Sequence, residues 1–420
     1  MTVLTRSLSS YMQTDPISHR LTADALFLSV LACCLLGVSC FLLAQGPALS
    51  GQDFRIFYTA PQMLLHSRAQ LYDLAAQQEW QQRLAGGTQV LPFYHPAYEV
   101  LLYLPLTLFR FRAAYLIYAA FNVGLLWLCY RVSPHGNSAL AGKSRYALFF
   151  LSFPLLLTIF FGQNSLLLLL GLCLAYNAIV RGKDFHAGVI VGLLIFKLAL
   201  TVPVAVLLCF RRGREFLGGG VLASAASLAL SAFLVGVSGM KDFLYFLTGA
   251  TLAANPGIQS HVPVALQDMP NLSGLFFLCE LAGLNAHIAL AMNVTATVVV
   301  LAGCVYIQRS AQSEALAYSA AVVCAVLISP HVYIYDLAAL VLPMLLLAHR
   351  WLRYAAIVWF TLPAFLYCFG FLNWFAFAVV IPLLLLGCCV AELRENRSTS
   401  LRHDPSHIAA IPPAGANSPA

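Results

Sequence analysis

A chain of 420 residues with 61% hydrophobic and only 9% charged residues, at a mean hydropathy of +0.83, lacks the charged surface of a soluble domain, where roughly a quarter of residues are charged. Its formal charge of +7 forms no basic face with interleaved aromatics outside the apolar runs, which excludes nucleic acid as a partner. Apolar runs near the roughly 20 residues that cross a bilayer recur from Leu21 to Val390, so the sequence predicts an all-α polytopic membrane protein.

In chain order, residues 1–20 are predicted to be a cytoplasmic N-terminus, and the following run, 21–44, is too long for the roughly 7–15-residue core of a signal peptide and reads as the first span. A first outer loop, 45–94, follows. Within it Phe54, Phe57 and Tyr58, then Met63, Leu64 and Leu65, fall at helical spacing, predicting short amphipathic helices on the outer surface. Residues 96–109 are too few to cross comfortably and carry Glu99, so they read as a re-entrant half-helix. Later runs are oriented by their cations: Arg131, Lys143 and Arg145, then Arg181 and Lys183, are kept inside. Run 187–210, interrupted by Lys197 and Pro203, must then fold into a hairpin of half-helices so that Arg211, Arg212 and Arg214 also stay inside. A second outer loop, 238–271, and a short dipping run, 272–284, precede the final spans. Counted this way, a single transmembrane domain over 21–391 holds about ten full spans and two or three half-helices. The Ser-, Pro- and Ala-rich tail, 392–420, is expected to be disordered.

The scheme gathers polar residues at one depth on the outer face. Asp53 there would be a partly desolvated carboxylate fit to act as a general base, or else an N-cap for the next helix. Lys197 stands in hydrocarbon, where a cation faces a partner or a cavity; a lipid phosphate would suit it, as would snorkelling from a short helix. In Ser329-Pro330-His331-Val332-Tyr333-Ile334-Tyr335-Asp336, His331 could donate to a phosphate oxygen and Asp336 could orient a cation, unless the stretch is simply a tight turn. The amides of Gln163 and Asn164 suit sugar hydroxyls or a helix–helix turn. Tyr94-His95-Pro96 and Asn271 read first as turn or cap residues. All twelve cysteines lie in apolar runs, and neither metal-ligand nor phosphate-loop spacing is present, so no metal or cofactor is expected.

Several short motifs in order resemble the glycosyltransferase 87 family of GT-C-fold, polyprenyl-phosphate-dependent transferases, whose named members are alpha-mannosyltransferases. They are Asp53-Phe54-x-x-Phe57-Tyr58-x-Ala60, Leu71-Tyr72-Asp73, Phe93-Tyr94-His95-Pro96, Gly162-Gln163-Asn164, Lys197 in its broken helix, and Ser329-Pro330-His331 with Tyr335-Asp336-Leu337. The chain departs from the family's tyrosine-proline-proline at Tyr94-His95-Pro96, and from its lysine-proline at Lys197-Leu198. The resemblance implies a GT-C-like fold in the cytoplasmic membrane, a polyprenyl-phosphate sugar donor (a hexose, mannose foremost), a lipid or glycan acceptor, and Asp53 as catalytic base. Lys197 and His331 would then bind the donor phosphate, and Tyr94, His95, Gln163, Asn164, Tyr335 and Asp336 would line the substrate site. The rival reading is a transporter or flippase for a lipid-linked or anionic solute, since broken helices with a mid-membrane lysine also serve transport.

Overall fold

The computed structural model describes residues 53–86, 91–134, 143–248, 266–370 and 372–402, and among these every regular element is helical. The run expected as the first span lies outside the described residues. Helices α1 (Phe54–Ser67) and α2 (Leu74–Ala85) come first, then an irregular stretch, Ala97–Leu108, built from 3-10 turns around four α-helical residues. Next are α3 (Phe111–Val132), α4 (Lys143–Phe150), α5 (Phe153–Phe161), α6 (Ser165–Val180), α7 (Asp184–Leu193) and α8 (Leu198–Leu247). The chain closes with α9 (Leu272–Leu281), α10 (Ala286–Ser310), α11 (Glu314–Ile328), α12 (Val341–Leu346), α13 (Leu352–Cys368) and α14 (Val380–Arg402).

Among the described residues four helical units are long and apolar enough to cross a bilayer: Phe111–Val132, Asp184–Leu247, Ala286–Ser310 and Trp374–Ser398. The remaining apolar helices, of 10–17 residues, fall short of a full crossing, so the count of ten spans is not reproduced by length and composition alone. Helix α10 is predominantly apolar, yet only 11% of its most hydrophobic window is buried by protein, as expected of a helix facing lipid. At the other extreme, α11 is buried around nearly its whole circumference, as is every residue of Ile334–Leu346. These two elements form the centre of the larger hydrophobic core, while α1, the Ala97–Leu108 stretch and α3 form a second, aromatic-rich one.

The predicted hairpin at Lys197 is present. Helix α7 leads through the 3-10 turn Leu194–Lys197 into α8, which breaks at Gly213 (φ 71°). Arg212 returns to within 3.5 Å of Asp184 at the start of α7, so Leu198–Arg212 runs antiparallel to it. Beyond Gly213 the chain turns again and packs on α7 with backbones almost touching. A Cβ at Gly188 would lie 2.0 Å from the Phe216 carbonyl oxygen, and one at Gly219 would lie 2.1 Å from that of Phe185. Only glycine permits this approach, the small-residue contact typical of membrane helices.

Three expectations need correction. Helix α1 does not lie on a surface: Phe54 through Pro61 are all buried, because Phe54, Phe57 and Tyr58 insert among Tyr103, Phe111, Tyr115 and Tyr118. The second loop does not begin at 238, since α8 resumes after a break at Gly236 and continues to Leu247 with Phe243 and Phe246 buried. The tail is helical through Arg402 rather than irregular from Glu392. Glu392 accepts from the Ala348 amide, and Leu393 is buried, so tertiary contacts hold residues whose composition suggests disorder.

Candidate active site

Helix α5 ends at Gly162, which takes the left-handed conformation (φ 67°) and closes the helix with the Gln163 amide donating to Thr158 O at 2.8 Å. A Cβ on Gly162 would sit 2.6 Å from Cβ of Phe54, so this turn is also where α1 presses closest to the bundle. The three residues that follow point to three different carboxylates. Gln163 Nε2 donates to Asp53 Oδ2 at 2.7 Å, Asn164 Nδ2 to Glu99 Oε1 at 2.6 Å, and Ser165 Oγ to Asp336 Oδ1 at 2.7 Å. One tight turn thus ties together the first loop, the irregular stretch and the segment before α12.

Each carboxylate has its own further partners. Asp336 pairs with Lys197 Nζ at 2.9 Å, while its other oxygen accepts the Tyr333 amide at 3.1 Å. Glu99 also accepts from the Tyr103 hydroxyl at 2.6 Å, and its free oxygen lies 2.6 Å from Nδ1 of His95, in the geometry of a close ion pair rather than an aligned hydrogen bond. Asp53 is held by neutral donors: Gln163, and the Tyr335 hydroxyl, which itself accepts from Gln163 Nε2 at 3.1 Å. Asp53 and Asn164 both occupy N-cap positions, and neither side chain caps its helix. Each forgoes a local bond worth about 1 kcal/mol to reach across the site instead. The capping reading of Asp53 therefore falls. For Asn271 it holds, with Oδ1 accepting the Gly274 amide and Nδ2 donating to Ser329 O at 2.7 Å.

An aromatic wall completes the layer. Tyr94 meets His331 (ring centroids 5.6 Å apart), His331 meets Tyr333 (4.9 Å), and Tyr333 meets Tyr335 (5.7 Å), whose ring lies 5.5 Å from Lys197 Nζ. All nine nominated residues are thereby joined in one contiguous polar layer. Within it Asp53, Tyr94, His95, Lys197, His331 and Tyr333 are half-buried and accessible, while Gln163, Asn164, Tyr335 and Asp336 stand behind them. Burial raises the pKa of Asp53 above its ordinary value, against the lowering effect of the Gln163 and Tyr335 bonds and of the charges on Lys197 and Arg55. Burial also lowers His331 to about 4, so its imidazole is neutral near pH 7.

Sequence reasoning passed over Glu99 and Ser165 as site residues. Glu99 was within reach, because an acid in an apolar run calls for a partner for the same reason as Lys197.

The profile of glycosyltransferase family 87 matches residues 93–330, more than half of the chain. This chain belongs to glycosyltransferase family 87. The matched span holds Tyr94, His95, Glu99, Gln163, Asn164, Ser165 and Lys197, while Asp53, His331, Tyr335 and Asp336 fall outside it. No curated protein and no solved structure matches the chain. Membership makes it a membrane glycosyltransferase, with a sugar donor and an acceptor as substrates, in place of the transport reading.

Proposed function

We propose that this chain is a multi-pass hexosyltransferase of the cytoplasmic membrane, of about ten spans and GT-C-like fold. It transfers a hexose, mannose foremost, from a polyprenyl-phosphate donor to a lipid or glycan acceptor at the outer face. The observation that carries the reading is the contrast among the three carboxylates. Asp336 is in contact with the ammonium of Lys197 and Glu99 with the imidazole of His95, whereas Asp53 is held only by the amide of Gln163 and the hydroxyl of Tyr335 and its side chain remains accessible. An acid so placed keeps a basic oxygen available.

Asp53 takes the proton of the acceptor hydroxyl as that oxygen attacks the anomeric carbon. The carbon–oxygen bond to phosphate breaks, the bonding pair leaves with the polyprenyl phosphate, and configuration inverts. Directed N–H groups, with Lys197 foremost, receive the charge that builds on the departing phosphate. Neutral His331 keeps one N–H that can donate to a phosphate oxygen, and with Tyr94 beside it offers an aromatic face for sugar stacking.

The test is transfer by membranes carrying wild type or Asp53→Asn from radiolabelled polyprenyl-phosphate hexoses. Label is expected to move only with the wild type. Equal transfer by both would remove Asp53 as base, and no transfer from any such donor would remove the donor class.

A further inference from the structure

Glu99 has no role in the reaction as described, yet it is held by three side chains, as many partners as Asp336 has. Its side chain is 2% exposed, and one oxygen takes two donors, the Tyr103 hydroxyl and the Asn164 amide, both at 2.6 Å. The other oxygen is thereby turned toward Nδ1 of His95. A buried carboxylate left without a cation is costly, so this pairing favours the ring with a proton on both nitrogens. The ring is also fixed in attitude, stacked on Phe93 (5.4 Å, 29°) and meeting Phe57 edge-on (5.4 Å, 78°), while the Tyr72 hydroxyl donates to the His95 carbonyl at 2.9 Å. Nε2, at the far side of the ring, has no protein partner among the described residues, and the side chain keeps 12% exposure. His95 and Lys197 both lie within electrostatic range of His331, so the two pairs bracket the same accessible wall.

We propose that Glu99 is a positioning residue that holds His95 as an imidazolium, and that His95 Nε2–H binds a phosphate oxygen of the lipid-linked donor. The arrangement doubles that of Asp336 and Lys197: a buried acid, tied to the Gln163-Asn164-Ser165 turn, aims a cationic N–H into the site. Each pair is neutral as a whole, so what it offers a phosphate is direction rather than net charge.

This inference rests on the polyprenyl-phosphate reading, and its test separates the two. Full-length wild type, Glu99→Gln and His95→Gln are compared in donor-saturation kinetics, alongside binding of polyprenyl phosphate to the same changes in an Asp53→Asn background, where turnover is suppressed. Glutamine at 99 keeps an oxygen for Tyr103 and Asn164 but turns an amide toward Nδ1, which abolishes the preference for the charged ring. Glutamine at 95 can still donate to Glu99, so it tests the charge even if Glu99→Gln fails to fold. Both changes are expected to raise the donor KM and weaken polyprenyl-phosphate binding about tenfold, the difference between a charged and a neutral hydrogen bond, with kcat far less affected. Unchanged KM and binding, or a fall in kcat alone, would overturn the proposal. A wild type inert with every polyprenyl-phosphate hexose would overturn it together with the donor reading, whereas normal donor use with unaffected variants would overturn it alone.

Discussion

Lys197 and Arg211 stand at opposite ends of one helical segment, about 20 Å apart by helix rise, and each is paired with a carboxylate. At the Lys197 end the acid is 3% exposed, and both its oxygens are filled by Lys197, Ser165 and the Tyr333 amide. At the Arg211 end Glu314 is 37% exposed and receives Arg211 through two nitrogens at 2.8 and 2.9 Å, with Arg212 against the same carboxylate and near Asp184 as well. The first pair is nearly dry, its acid buried, and among the described residues it has no substitute for either member. The second is wet and redundant. Chemistry calls for the first kind, because a directed charge keeps its strength only where water is excluded, whereas the second merely fastens helix ends.

The largest effect expected from breaking this contrast is at the dry end. Asp53→Asn should lower transfer by about 10²- to 10⁴-fold, the span associated with a general base, with donor binding retained. Labelled-product counts against donor concentration check it. Lys197→Met leaves Asp336 buried without a cation and should destabilise the protein by about 3–5 kcal/mol as well as reduce transfer. Much of that stability, measured by thermal unfolding in detergent, should return when Asp336→Asn is added, while transfer should not. Tyr335→Phe removes one of the bonds that lower the Asp53 pKa. A base works only above its pKa, so the acid limb of kcat/KM should move to higher pH in this variant, as a pH–rate profile would reveal. The smallest effect belongs to the wet end: Glu314→Gln should cost no more than about 1 kcal/mol and leave donor KM unchanged.

Much of this site can be read from residue type and order. Lys197 in an apolar run demands a partner at membrane depth, and the cations at Arg211 and Arg212 require a hairpin there; both are found. Gln163 and Asn164 are evident as an amide pair between apolar runs. What the order of residues does not reveal is which partner each selects. Asp53 after a Gly-Gln pair has every local reason to cap its helix, and only the approach of Gln163, 110 residues away, draws it off. Glu99 was set aside as a feature of a short run, since nothing near it in sequence announces that Asn164 meets it. Length misleads too. The 3-10 turns of Ile334–Leu340 rise about 2 Å per residue against 1.5 Å for an α-helix, so a span can be built from fewer residues than an α-helical count expects.

The turn at Gly162 leaves little tolerance for slippage. Successive residues entering a helix are about 100° apart, which is how Gln163, Asn164 and Ser165 address three separate acids. Inserting or deleting a single residue there would not remove one contact; it would offer an amide where a hydroxyl fits and a hydroxyl where an amide fits, at all three acids together. The site therefore has a reading frame, and it is set in one place.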